Sequence, residues 1–347
     1  MSALDRTSVP SMVTVDLFEE LIDILQSPAA DTIRNLRLNW LQATDKYHDS
    51  VSLFVEIVRL FRHLDFLEFM FHGYGGDSEL WRATQTSISS SMSAQFLTVL
   101  DLSIVDLTTS VNALLSTPNL ETLILYGVGE AETEEPLPYR LPLHRLRKVI
   151  MLHTPSTPLL SLIIGSSIKT LRSVAVRAEH LHAISALEAH RNQNRITHIH
   201  FTGTGHVTFS CGSNAKTDCQ YPREDRAANT TAVVRVLHAC PHLRHLQLLS
   251  TDISGLSDML QAVQIPLLSL MTSIYPCVHL PSGDAAILRA VLDGQQPSTS
   301  RLRILSPREH TNPLLKQACT RRRVALNRDI AMMSVIEQVD AFAKLVQ

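Results

Sequence analysis

Apolar residues recur along this chain in one phrase: apolar, two of any kind, apolar, one of any kind, apolar. Pro118-Asn119-Leu120-Glu121-Thr122-Leu123-Ile124-Leu125 and Pro241-His242-Leu243-Arg244-His245-Leu246-Gln247-Leu248 are its fullest copies, and a proline leads both. Looser copies begin at Ile33, Leu64, Leu97, Leu120, Leu146, Leu171, Ile196 and Leu243, with gaps of 31, 33, 23, 26, 25, 25 and 47 residues. In a strand, alternate side chains share a face, so the fourth and sixth residues of each copy turn inward together. Leu123 with Leu125, Val149 with Met151, Val174 with Val176, Ile199 with Phe201 and Leu246 with Leu248 all fit. Between copies the apolar spacing is helical, over 51–61, 107–115, 159–164, 181–187 and 233–237. Pro118 and Pro241 stop the helix before them, because proline disfavours helical backbone in the preceding residue. Each unit is therefore helix, stop, short strand and turn. Every strand is reached from the same side, so the strands are parallel.

Units in the twenties that each bury an apolar side against their neighbours describe a leucine-rich-repeat solenoid. The expected fold class is α/β, a ribonuclease-inhibitor-like horseshoe with a parallel concave sheet and outer helices. Its repeats are irregular, with periods of 23 to 33 residues outside the one long gap. A doubly wound sheet also alternates strand and helix, but no Gly-rich strand-to-helix turn is present. Residues 1–13 read as a disordered start, 14–328 as the solenoid, and 329–347 as a capping helix with an apolar face. An opening helix is expected over 15–25, with Thr14 as its cap, and the first strand over 33–38. The long gap after Ile196 reads as an inserted loop at 203–228, because Gly203, Gly205, Gly212, Asn214 and Pro222 are turn residues. Weaker strands are expected at 267–270, 302–305 and 324–326. The ninth position of the phrase carries no asparagine ladder; in order it reads Leu41, His72, Val105, Val128, Thr154, Glu179, Thr204 and Thr251.

Composition narrows the kind of work. At 347 residues and 45% hydrophobic, the chain can bury a sizeable core. Thirty-one basic against 33 acidic residues leave a formal charge of −2, which argues against nucleic acid as a partner. No apolar stretch is long enough to span a bilayer, and the first residues lack the pattern of a secretory signal. Five cysteines, odd in number and without a C-x-x-C, indicate neither a disulfide framework nor a zinc knuckle. A reducing compartment, cytosol or nucleus, and a monomeric chain are expected.

The chain resembles the leucine-rich-repeat region of F-box proteins, especially the large divergent group found in fungi. Three stretches carry the likeness. One is Leu17-Phe18-Glu-Glu-Leu21-Ile-Asp-Ile-Leu25-Gln-Ser-Pro28 followed by Ile33-Arg34-Asn35-Leu36-Arg37-Leu38. Another is the pair of P-x-L-x-x-L-x-L phrases. The last is Leu315-Lys-Gln-Ala-Cys319-Thr-Arg-Arg-Arg-Val324-Ala-Leu326, a helix-then-strand close. The resemblance implies a substrate receptor of a cullin ubiquitin ligase. No L-P-x-E-led segment precedes Val15 in this sequence, so docking to the family's adaptor is not expected.

The expected function is protein–protein recognition without catalysis. Outward strand positions form the inner wall of the curve and mix apolar with polar groups, which suits a protein surface. Tyr126, Lys148, Arg177, His198, His200, His245 and Gln247 are the candidate partner-binding residues. The alternative is a metal-dependent intracellular enzyme at His198, His200 and His245, since two histidines on one strand and a third on the next have the donors zinc takes. No carboxylate stands beside them, and His is frequent here at 16 copies, so no metal or cofactor is assigned. A structural scaffold with no dedicated ligand is the other alternative. Thr202-Gly-Thr-Gly205 lacks the G-K-[ST] of a phosphate loop, and no G-x-S-x-G elbow occurs.

Overall fold

A computed structural model describes residues 13–15, 27, 32–40, 66–71, 85–86, 88–90, 94–104, 107–127, 140–152, 157–202, 223–249, 255–273, 284–294, 297–306 and 313–326. The expected opening helix beyond Val15, the helix over 51–61 and the capping helix at 329–347 lie outside these residues. So does most of the insert. The chain forms two compact units, Met1–Thr170 and Leu171–Gln347.

In the first unit six strands pair in parallel in chain order: β1 (Val13–Val15), β2 (Asn35–Trp40), β3 (Phe66–Phe71), β4 (Val99–Ile104), β5 (Thr122–Gly127) and β6 (Lys148–Leu152). Helix α1 (Leu107–Leu115) and helix α2 (Pro158–Ser167) belong to it. α1 matches the expected span, and α2 starts with Pro158 at its first turn, where the missing N–H costs nothing. β1 corrects one expectation. Thr14, read as a helix cap, pairs with Arg37 inside a strand. Val13-Thr14-Val15 is wholly β-branched, and a neighbouring strand edge lets that preference decide.

The second unit repeats the arrangement with β7 (Ser173–Arg177), β8 (His198–Thr202), β9 (His245–Leu249), β10 (Ser269–Ser273), β11 (Ile304–Ser306) and β12 (Ala325–Leu326). Its helices are α3 (Leu181–Ala189), α4 (Arg223–Ala239), α5 (Leu256–Gln261), α6 (Asp284–Asp293) and α7 (Pro313–Arg322). Crossovers between parallel neighbours are right-handed in nearly all proteins, so strands added always on the same side place their helices on one face. The helices accordingly pack in series, α3 on α4, α4 on α5, α5 on α6 and α6 on α7. β8 pairs directly with β9 across the 47-residue gap. α4 begins at Arg223, so 223–228, read as part of the insert, is helical. Pro222 followed by Arg-Glu-Asp is a sequence that starts a helix, with acidic residues at its positive end.

Register follows the phrase. Its fourth residues lie side by side, Leu36 with Leu67, Leu67 with Leu100, Leu100 with Leu123 and Leu123 with Val149. In the second unit the row is Val174, Ile199, Leu246, Leu270, Leu305 and Leu326. Leu123, Val149, Val174 and Leu246 are fully buried, and Ile199 is 1% exposed. The phrase's second residue repeats one backbone bond. Glu121 N–H donates to the Thr98 carbonyl at 2.8 Å, Thr197 to Arg172 at 2.9 Å, Arg244 to Thr197 at 2.9 Å and Arg303 to Leu268 at 2.8 Å. Burying one apolar row and closing one hydrogen bond per strand is what sets this register.

Candidate functional site

Strand alternation sends the phrase's third and fifth residues to the face away from the helices. In the second unit that face carries Ser173, Ala175 and Arg177 on β7, His198 and His200 on β8, His245 and Gln247 on β9, and Ser269 and Met271 on β10. The register aligns His198 with His245 and Ser269, and His200 with Gln247 and Met271.

The imidazoles of His198 and His245 stack, with centroids 4.2 Å apart and planes 23° from parallel. Each has its Nδ1 against a hydroxyl, His198 with Thr197 Oγ1 at 2.8 Å and His245 with Ser269 Oγ at 2.8 Å. The Thr197 hydroxyl donates to the Arg172 carbonyl at 3.4 Å, so its oxygen is left to accept from His198 Nδ1–H. That tautomer leaves His198 Nε2 as a lone pair, and this buried atom has no hydrogen-bond partner. His200 Nδ1 donates to the Gln247 side-chain carbonyl. Burial pushes the His198 pKa down to about 4. Burial, with the His198 and Arg244 charges beside it, pushes His245 down to about 3. Both rings are neutral at pH 7.

Arg177 Nε lies 2.9 Å from Glu179 Oε1, the pair closing the end of β7. The Arg177 backbone N–H donates to His180 Nδ1 at 3.1 Å, so the wholly buried His180 ring turns back over the strand it follows.

Of the seven expected partner-binding residues, the structure brings five together on this face. His198 is half-buried, whereas Arg177, His200, His245 and Gln247 are buried, Gln247 completely. At those four positions little of the side chain meets solvent. In the first unit Lys148 is half-exposed and Tyr126 lies in β5 beside Leu152, its side chain outside the described set. Ile124 and Ile150, on the same face, are buried as well. Cross-strand bonds replace water for part of each side chain, His200 to Gln247 and His245 to Ser269, and a single strand's sequence does not carry that pairing.

The three histidines do not form a shared ligand set. A metal must lie in the plane of each imidazole it binds, and two stacked rings hold their lone pairs nearly parallel. Among the described residues no group of three or more His, Cys, Asp or Glu is placed to hold a metal ion. No helix among them is long and apolar enough to cross a membrane.

Sequence reasoning missed the buried side chain that joins neighbouring turns. Asn194 Nδ2 donates to the Ala239 carbonyl at 2.9 Å and to Cys240 Sγ at 3.3 Å, while its Oδ1 accepts from Ile196 N–H at 2.8 Å. Thr170 Oγ1 to the Leu146 carbonyl at 2.9 Å and Asn119 Nδ2 to the Gln95 carbonyl at 2.6 Å do similar work in the first unit. Their shared signal is a polar residue just ahead of the phrase, not nine residues into it.

No protein-family model matches this chain, and no curated protein matches it.

Proposed function

We propose that this chain is a non-enzymatic recognition protein, a leucine-rich-repeat type of solenoid that holds a protein partner on the face away from its helices. What supports the reading most is one six-residue phrase opening strand after strand in constant register, with the same backbone bond at its second residue. Such a scaffold spends its sequence on stacking and leaves the outward positions free to vary. The half-exposed residues there, Thr122 and Lys148 in the first unit and Ser173 and His198 in the second, are the first contacts to test, each unit by itself. The resemblance to F-box receptors makes a substrate protein in the cytosol or nucleus the natural partner. The stacking of His198 on His245 favours recognition over the metal-enzyme reading, because neighbouring rings held parallel cannot share an ion.

Affinity capture with the full chain tests this. Partners should be lost with Lys148→Glu and with His198→Asp, and kept with Leu181→Asp on the helix side, where Leu181 is 55% exposed. An identical set of captured proteins in all three variants would remove the face from consideration. Stoichiometric zinc in the purified chain, lost in His198→Ala, would instead establish the enzyme reading.

A further inference from the structure

A near-neutral chain need not have a neutral surface. In the second unit the turns leading into the strands carry arginine at Arg172 before β7, Arg195 before β8, Arg244 before β9, Arg301 and Arg303 before β11, and Arg323 before β12. All are exposed except Arg244, which is half-exposed. Arg195 Nη1 lies 3.2 Å from His242 Nε2. Among the described residues Arg244, Arg301, Arg303 and Arg323 have no carboxylate partner. The acidic side chains described where these helices end are already held: Glu188 in the last turn of α3 by Arg235 at 2.8 and 2.6 Å, and Asp293 at the end of α6 by Arg289 at 3.3 Å and Arg321 at 3.0 Å.

Helix dipoles explain part of this. The helices end at the same edge, where cations are favoured in the last turn, as with Arg321 and Arg322 of α7. They do not explain Arg172, Arg244 and Arg303, which stand at the phrase's second position, beyond the helix ends. Arg323 argues further. It follows α7 with φ at 55°, and the bonds from Val324 N–H to the Cys319 carbonyl and from Arg323 N–H to the Thr320 carbonyl make it the left-handed residue of a Schellman turn. Glycine usually fills that place because it adopts the conformation without strain. Here a basic side chain is kept at a backbone cost.

We propose that this edge binds an acidic segment of a partner protein, lying across the strand starts in extended form with carboxylates at every third residue. Arg172, Arg244 and Arg303 stand on alternate strands, roughly 9.6 Å apart, and three residues of extended chain span roughly 10 Å. Guanidinium forks match carboxylates two bonds at a time. The segments that form the edge contain no Phe, Tyr or Trp to stack bases, which favours a peptide over single-stranded nucleic acid. The edge is a different surface from the face carrying His198, so the two readings stand or fall separately.

The test is fluorescence anisotropy on the full chain with a labelled twelve-residue peptide of (Glu-Gly-Ser) repeats. The peptide should bind, its Gln counterpart should not, and affinity should fall as salt rises. The double variant Arg244→Gln/Arg303→Gln should weaken binding about tenfold. Arg323→Gly should weaken it by a factor of about 3 while the thermal midpoint holds or rises, since glycine relieves the backbone there. The proposal is overturned if the Gln peptide binds equally, or if the arginine variants bind like the parent. It is also overturned if a twelve-residue oligouridylate or phosphatidylserine vesicles bind more tightly than the peptide at the same ionic strength.

Discussion

His198 and His245 lie on adjacent strands with their imidazole centroids 4.2 Å apart, and each meets a different hydroxyl through Nδ1. Two cations at that distance repel strongly, so the stack does not hold with both rings protonated.

Stability should therefore depend on pH below neutrality. Burial holds the folded pKa of His198 at about 4 and that of His245 at about 3, below the ordinary 6.5. Below pH 6.5 the unfolded chain takes up protons that the native rings refuse. Stability is thus fully present above pH 6.5 and is lost as pH falls toward 4, by up to about 1.4 kcal/mol per pH unit for each ring. Thermal midpoints measured from pH 7.5 to 4.5 should fall more steeply for the parent than for His245→Gln. Equal slopes would show that the pair does not titrate as its burial implies.

Leu246 sits at the fourth position of the phrase, wholly buried between Ile199 and Leu270. Leu246→Ala removes buried methyl groups from a row fixed on both sides and should cost about 2–5 kcal/mol. Urea denaturation followed by circular dichroism measures it. A loss under 1 kcal/mol would mean that the row is not packed.

Asn194 holds an amide pair that nothing else can satisfy. Asn194→Ala strands the Ile196 N–H and the Ala239 carbonyl in the interior, at about 1–3 kcal/mol for each group left unpaired. Cys240 reports the same opening. Burial pushes its pKa up to about 12 despite the Asn194 bond, so its thiol should resist alkylation at pH 8 in the native protein. Peptide mass spectrometry after a timed iodoacetamide pulse should find Cys240 labelled faster in Asn194→Ala. Rapid labelling in the parent would contradict its burial.

Arg235 grips Glu188 with two hydrogen bonds, at 2.8 and 2.6 Å, joining α4 to α3. The Arg235 bond holds the Glu188 carboxyl below its usual pKa, so its contribution is present at neutral pH and fades as acid protonates the carboxylate. Water reaches both side chains, which are 36% and 37% exposed. A double-mutant cycle with Glu188→Gln and Arg235→Gln should return about 0.2–1 kcal/mol, shrinking in 0.5 M salt. A coupling of several kcal/mol would require a drier interface than this one.

Local order was legible wherever side-chain alternation and the helix period spoke together. α1 and α3 begin where the spacing placed them, and the rows beginning at Leu36 and at Val174 emerged from the phrase alone. α5 and α6 were not foreseen between 249 and 302. Their buried residues, Leu256, Met259 and Leu260 in one and Leu288, Val291 and Leu292 in the other, span barely a turn and a half of helical spacing. Thr14 went the other way, because a strand partner about twenty residues on outweighed a capping preference.

The amino-acid sequence by itself determined which residues turn inward, since a period of two in each strand is a property of the backbone and needs no neighbour. It also determined that strands would follow helices from one side and so run parallel. Only the tertiary structure decided what became of the outward positions. Whether His200, His245 and Gln247 meet water depends on the strands brought beside them, and the register that sets His198 against His245 spans 47 residues of chain. The row of arginines is a product of the same register: scattered singly through the sequence, they become one edge when each strand start is placed next to the last.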